Sequence, residues 1–269
     1  MSPRISSDTM SGAQSQKRDE AYAAYEAELE KEVLSGEIPG HMAIIMDGNR
    51  RYAEETLHID AFEGHRLGKD KLDQVIHWCL RIGIRNLTVY AFSTENFHRA
   101  KKEVGMLMDL MEKSLYELAD DEEVHKLQVR VKVIGDRSLL PENVLKAVEN
   151  VENRTAGYSN YTFTMAIAYG GRQDIVNAVR EIASKVKSGD LDIEDIDEDL
   201  MRSYISTKEM PDPDLVLRTS GEIRLSNFLL WQMAYSELYF TDVNWPGFEY
   251  VDLLEAVRTY QQRKRRYGV

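Results

Sequence analysis

The stretch His41-Met42-Ala43-Ile44-Ile45-Met46-Asp47-Gly48-Asn49 decides how the chain folds. Its apolar run from Met42 to Met46 stops abruptly at Asp-Gly-Asn, which reads as a buried strand followed by a turn. Strands buried on both faces belong to parallel sheets, because helices cover both sides there. Further on, helix-period spacing from about Arg66 to Arg81 leads through Gly83 into a second strand-like run, Asn86 to Phe92, which makes a βαβ unit. Leu107, Leu110, Met111, Leu115 and Leu118 share one face of a helix expected over 104–119. Strands are then expected at Gln128 to Ile134, 160–168, Asp214 to Leu217 and Glu237 to Phe240, and helices at 141–153, 172–187 and 249–264. The alternation predicts the α/β class, a single domain whose mainly parallel central sheet is flanked by helices.

Upstream of that core, residues 1–37 read as a polar arm. The Ser-rich part through Gln16 is expected to be disordered, and the charged run from Arg18 to Leu34 to form an exposed helix closed by Gly36 and Pro39. Residues 38–269 are expected to form the main folded domain. Thirty-four basic against forty-six acidic residues give a net charge of −12, which excludes a general nucleic-acid binder, since phosphate backbones require broad cationic faces. Any anion site must therefore be local. The acidic stretch Asp190 to Asp199 carries Leu191, Ile193 and Ile196 between its charges, so it reads as a loop feeding a short amphipathic helix. Cys79 sits between Trp78 and Leu80 in a helical pattern and reads as a small core residue. No apolar run is long enough to span a bilayer and no secretory signal is visible, so a soluble, cytoplasmic protein is expected.

Ligands of open parallel sheets collect at the carboxyl ends of the strands, which singles out four places. Asp47-Gly48-Asn49-Arg50-Arg51 offers a carboxylate for a divalent cation, a glycine that lets backbone approach a ligand, free amides and an Arg charge. The same residues equally suit a turn in which Asp47 only caps the next helix. In Ser93-Thr94-Glu95-Asn96-Phe97-His98-Arg99, Ser93, Asn96 and Arg99 recur every three residues and would share one polar face; a plain helix cap at Ser93 is the competing reading. Tyr169-Gly170-Gly171-Arg172 is again a glycine turn with a cation. Finally, Arg218-Thr219-Ser220-Gly221-Glu222-Ile223-Arg224-Leu225-Ser226 sets two Arg residues six apart among hydroxyls, which suits a diphosphate held by several charge-assisted bonds. His65, in Glu63-Gly64-His65-Arg66, is a candidate phosphate contact. There is no P-loop, no Gly-x-Gly-x-x-Gly fingerprint, no Asp-Asp-x-x-Asp box and no zinc-type spacing of Cys and His.

Taken together, His41 to Asn49, Tyr90 to Asn96, Tyr169 to Arg172, Asp214 to Glu222, Ser226 to Gln232 and Ala234 to Phe240 resemble, in order, the sequence blocks of the cis-prenyltransferases. The resemblance runs from about residue 38 to the C-terminus. It implies the fold of that family, neither a Rossmann nucleotide-binding fold nor an all-helical one, with a hydrophobic prenyl tunnel; helix 104–119, rich in Met and Leu, suits the lining of such a tunnel and plain core packing equally. It implies sequential condensation of isopentenyl diphosphate onto an allylic diphosphate, geranylgeranyl or farnesyl, to give a long-chain polyprenyl diphosphate for a glycosyl carrier lipid. Magnesium is the implied cofactor, held by Asp47 and Glu237, and Asp47, Asn49 and Asn96 are the implied catalytic residues. Gly48, Asn49, Arg50, Arg51, His65, Ser93 and Arg99 are implied for the allylic diphosphate, and Arg218, Arg224, Ser226, Arg266 and Gly268 for isopentenyl diphosphate. A homodimer is also implied. The basic cluster Arg263 to Arg266 allows a peripheral membrane contact for product release as well.

Some positions depart from the pattern. Arg50 stands where bacterial members carry Gly, Tyr52 and Phe97 replace Trp, and Ala61 stands near a position that often carries a further Arg, for which Arg50 would compensate. The alternatives to an elongating enzyme are a non-catalytic partner subunit and a prenyl-diphosphate binding protein. Asp47, Asn49, Arg218, Arg224 and Ser226 are all present, which disfavours a subunit that has lost its site.

Overall fold

In a computed structural model, which describes residues 12–263, helix α1 (Gly12–Leu34) precedes a regular alternation of strands and helices. Strand β1 (His41–Ile45) leads into a short turn of helix, α2 (Asn49–Arg51), which continues as a π-helical segment over Tyr52–Leu57. Then follow α3 (Ala61–Ile82), β2 (Asn86–Ser93), α4 (Lys101–Asp120), α5 (Glu122–Lys126), β3 (Val129–Ile134), α6 (Glu142–Thr155) and β4 (Tyr161–Tyr169). The chain closes with α7 (Gly171–Ser188), α8 (Glu198–Tyr204), β5 (Leu215–Arg218), β6 (Glu237–Phe240) and α9 (Tyr250–Gln262). The described strands form one sheet in the order β3-β4-β2-β1-β5-β6, and every pairing in it is parallel.

Strand period puts Met42 and Ile44 on one face of the sheet, where they join Leu87 and Val89 in the main core, and Ala43 and Ile45 on the other. The main core is closed by α1, α3, α4, α6 and α9. Phe228, Leu229 and Met233 cover the second face, and α7 and α8 pack together through Ala178, Ile182, Met201 and Ile205. After β1 the chain builds the sheet toward β2, whereas β5 is added on the other side of β1. The loops leaving β1 and β5 therefore diverge, and the crevice between them is where such sheets hold ligands.

Two expectations need correcting. The run through Leu34 is not an exposed arm: Leu29 and Val33 are buried in the main core, and α1 lies along α9. Tyr22 donates to Glu249 at 2.6 Å, Tyr250 donates to Glu30 at 2.8 Å, and Gln261 donates to the carbonyl of Val33 at 2.8 Å. Charge on the outer face hid an apolar edge too narrow to stand out by periodicity. Helix α3 likewise starts at Ala61 rather than near Arg66, because Asp60 accepts from the amide of Phe62 at 2.9 Å and caps it there. Gly64 and Gly68 weaken the helical signal, yet both are required: a Cβ on either would come within 2.1 Å of Asn49. The acidic stretch is, as expected, a loop feeding α8, which Asp197 caps through Leu200 at 2.8 Å.

Candidate active site

At the crevice Asp47 follows β1 and Arg218 ends β5, and the two strands are paired neighbours. Arg218 donates from Nη2 to Oδ2 of Asp47 at 2.7 Å, and from Nη1 to Oγ of Ser226 at 2.8 Å and to the carbonyl of Arg224. Its Nε is buried without a partner. Thr219 fixes the other side of the turn, accepting from the Asp47 amide at 2.9 Å and donating to the Asp47 carbonyl at 2.7 Å. Gly48 has a φ of 98°, and a Cβ there would lie 2.4 Å from Oδ1 of Asn244, so the turn needs glycine. Asp47 thus presents a partly exposed carboxylate on a backbone clamped by β5.

Arg51 reaches the β5 loop as well, donating from Nη1 to the carbonyl of Ser220 at 2.9 Å and to its hydroxyl at 2.7 Å. Glu222 pairs with Arg51 at 3.3 Å and also with Arg224. Its carboxyl is held below the usual range, first by Arg51 and then by Arg224. Asp47, Arg51, Arg218, Arg224 and Ser226 therefore form one connected cluster.

The second wall comes from α3, α4 and the turn after β2. His65 is mostly buried, and its Nε2 finds no hydrogen-bond partner. Burial, reinforced by Arg99, pushes its pKa down to about 4. His65 is thus neutral near pH 7, and its 4.0 Å approach to Glu103 is not an ion pair there. Glu103 instead takes Arg99 at 3.1 Å and Arg50 at 3.8 Å, so one carboxylate organises both cations. Sequence reading missed it because Lys101-Lys102-Glu103 resembles any solvated helix start. Ser93 and Asn96 form a capping box at the turn after β2, with the Ser93 amide donating to Oδ1 of Asn96 at 3.0 Å.

Arg172 points to solvent, and its turn is a knot rather than a cation site. Asn227 accepts from the amide of Gly171 at 2.7 Å and from that of Arg172 at 2.9 Å, and donates to Glu95 at 2.9 Å. Ser220, Ser226, Asn227 and Leu229 all take left-handed backbone near this loop. Non-glycine residues rarely do so without surrounding constraint, and no single-sequence pattern marks such a cluster.

Behind Asn49 and His65 opens an apolar cavity of about 100 Å³ that reaches under α3 and α4 to Phe163 and Met165 of β4. Leu107, Leu110, Met111 and Leu118 of α4 line it, so the helix expected over 104–119 both packs the core and faces the cavity. Asn49 Oδ1 is buried and unpartnered at its mouth.

Glu237 does not join the cluster. It opposes Leu215 at the start of β5, hence at the opposite edge of the sheet from Asp47, and it is paired with Arg263 at 3.0 Å. The resemblance implies a shared metal near a subunit boundary; within one chain, strand direction separates the two. Arg266 and Gly268 lie outside the described residues.

A carboxylate beside Arg51, Arg218 and Arg224, backed by an apolar cavity, suits diphosphate headgroups with hydrocarbon tails. In sequence, residues 45–268 match the family described as "Putative undecaprenyl diphosphate synthase". The chain belongs to this family, the cis-prenyltransferases. It is a prenyl-transferring enzyme of the α/β type. Tritrans,polycis-undecaprenyl-diphosphate synthase (geranylgeranyl-diphosphate specific) of Methanopyrus kandleri is 51% identical over 247 residues, 92% of this chain and 91% of that protein. The Pyrococcus horikoshii protein of the same name is 53% identical over 248 residues, 92% of this chain and 94% of that one. The crystal structure of lavandulyl diphosphate synthase from Lavandula x intermedia with dimethylallyl diphosphate superposes with a TM-score of 0.81 at 38% identity, covering 86% of this chain and 99% of that one.

Among the described residues no group of three or more His, Cys, Asp or Glu side chains could hold an ion. A single partly exposed carboxylate, Asp47, fits magnesium, which keeps several waters and binds through one or two carboxylates plus substrate phosphates. Cys79 is buried, and burial pushes its thiol up to about 12, so it is no nucleophile. Among the described residues no helix is long and apolar enough to cross a membrane.

Proposed function

We propose that the chain adds isopentenyl diphosphate units in cis configuration to geranylgeranyl diphosphate, releasing diphosphate at each step and yielding a long polyprenyl diphosphate for a glycosyl carrier lipid. The observation that carries this reading is the contact of Asp47 with Arg218 next to an apolar cavity that is lined by Met46 and Asn49 on either side of the Asp47-Gly48 turn. The choice of primer rests on the named archaeal relatives.

In this reading Asp47 holds magnesium, which neutralises the charge of the departing diphosphate when bound. The amides of residues 48–51, with Arg50, Arg51, His65, Ser93 and Arg99, grip the allylic diphosphate, and Asn49 and Asn96 orient the reacting ends. Arg218, Arg224 and Ser226 receive isopentenyl diphosphate, and Arg266 and Gly268 complete that subsite across a homodimer. Glu222, paired with both Arg51 and Arg224, yields them to the phosphates. The cavity excludes water from the developing cation, which strengthens each of these charge interactions. Residues 38–269, with α1 packed into the same core, make up the catalytic domain, and the enzyme works in the cytoplasm on lipid-derived substrates.

The test is direct. Purified protein given magnesium, geranylgeranyl diphosphate and labelled isopentenyl diphosphate is expected to yield labelled long-chain lipid, and chelation should abolish it. Binding of both substrates without elongation would sink the proposal.

A further inference from the structure

The cavity has two charged groups in its otherwise apolar wall, Lys69 and Asp73. Helix α3 lines it with Gly68, Leu72 and Ile76, and α4 with Leu107, Leu110, Met111, Ser114 and Leu118, while the sheet forms its floor. Lys69 belongs to the same lining, although an ammonium gains nothing from an apolar chamber. Its Nζ reaches Glu117 on α4 at 2.7 Å and is steadied by Asp73, one turn along its own helix, at 2.9 Å. The Lys69 side chain is 24% exposed and that of Glu117 44%, so the pair sits on the solvent side of the cavity. There it spans the seam between the two helices that wall the space.

We infer that the Lys69–Glu117 pair is a latch across the α3–α4 seam that limits how long a hydrocarbon the cavity accepts. This rests on the reading of the cavity as the place where a prenyl chain grows. A lengthening chain fills the space from the mouth at Asn49 and His65 inward, and continues only if the walls separate or the seam opens. Half-exposed ion pairs are weak and screened by salt, so this one biases the opening without forbidding it. A locked seam would need a dry, fully buried bridge, which this is not. The latch therefore sets the proportion of longer to shorter products rather than a sharp stop.

The experiment compares product-length distributions of the full chain, Lys69→Met, Glu117→Gln and the double variant, with geranylgeranyl diphosphate as primer. Methionine keeps the apolar stem of lysine and removes the charge. Each single variant is expected to raise the longer-to-shorter ratio roughly 1.4- to 5-fold, the range an exposed pair supports. The double variant should match the stronger single one, because both remove the same contact. Added salt should lengthen the products of the parent chain more than those of Lys69→Met. Unchanged distributions in both single variants, or strictly additive shifts, would overturn the latch. Failure of the parent chain to elongate at all would instead overturn the proposed function, so the two failures are distinct.

Discussion

Arg218 is 3% exposed, yet its guanidinium meets the partly exposed carboxylate of Asp47 at 2.7 Å, so the principal acidic group of the site is held by a cation the fold has already buried. Removing the carboxylate has two consequences. Asp47→Ala is expected to lower kcat by about 10²–10³-fold, the usual effect of losing one group that stabilises developing charge. It should also destabilise the fold by about 1–3 kcal/mol, since Arg218 loses a partner. Asp47→Asn keeps an acceptor for Arg218, so kcat should fall as far while most of the stability returns. Steady-state kinetics and urea unfolding of the two variants check both halves; equal stabilities would refute the structural half.

Arg50 is half exposed and lies 3.8 Å from Glu103, close enough to be oriented but too solvated to be a structural prop. If it grips the allylic diphosphate, its loss removes binding shared by ground and transition states. Arg50→Ala should then raise the KM for geranylgeranyl diphosphate roughly tenfold and leave kcat nearly unchanged. The KM for isopentenyl diphosphate should stay put. An unaltered allylic KM would show that this departure from the bacterial pattern compensates for nothing.

Sequence spacing carried the alternation of strands and helices because buried parallel strands and amphipathic helices write different periods. It also exposed the turn at Asp47 and the Arg-rich loop after β5, since glycine and Arg at strand ends are locally visible. What it could not carry were relations across the chain. Glu103 adds Arg50 to its local partner Arg99 only because α4 starts beside α2, and Asn244 matters only because it abuts Gly48. Glu237 is the complementary case: the resemblance implies a metal role near a subunit boundary, and strand direction puts the residue at the far end of the strands from Asp47 within one chain.

The docked N-terminal helix makes a stability prediction that an exposed arm would not. Leu29 is 1% exposed and packs in the same core as the central strands. Leu29→Ala should cost about 2–4 kcal/mol, as for other buried leucines truncated in well-packed cores. A substitution on a free arm would cost next to nothing. Urea denaturation of the full chain separates the two, and a change below about 0.5 kcal/mol would return α1 to the status of an arm.

His65 gives stability a pH dependence whose sign is fixed by its surroundings. Burial first, and Arg99 second, lower its pKa from 6.5 to about 4, with Glu103 opposing and Arg50 reinforcing the shift. The folded state thus keeps the ring neutral down to about pH 4, while the unfolded chain takes up the proton below 6.5. More protons on the unfolded side mean that stability falls as the pH drops through this window and is flat above it. The full effect is at most about 3 kcal/mol. His65→Gln has no such proton, so the difference in unfolding free energy between the parent and the variant should shrink or reverse from pH 7 downward. His41 is also buried, with a lowered pKa, but it is present in both proteins and cancels in that difference. Urea unfolding of the two proteins at several pH values reads the slope. A constant difference across the window would mean that His65 is protonated in the fold, and that Glu103 holds it as a third cation beside Arg50 and Arg99.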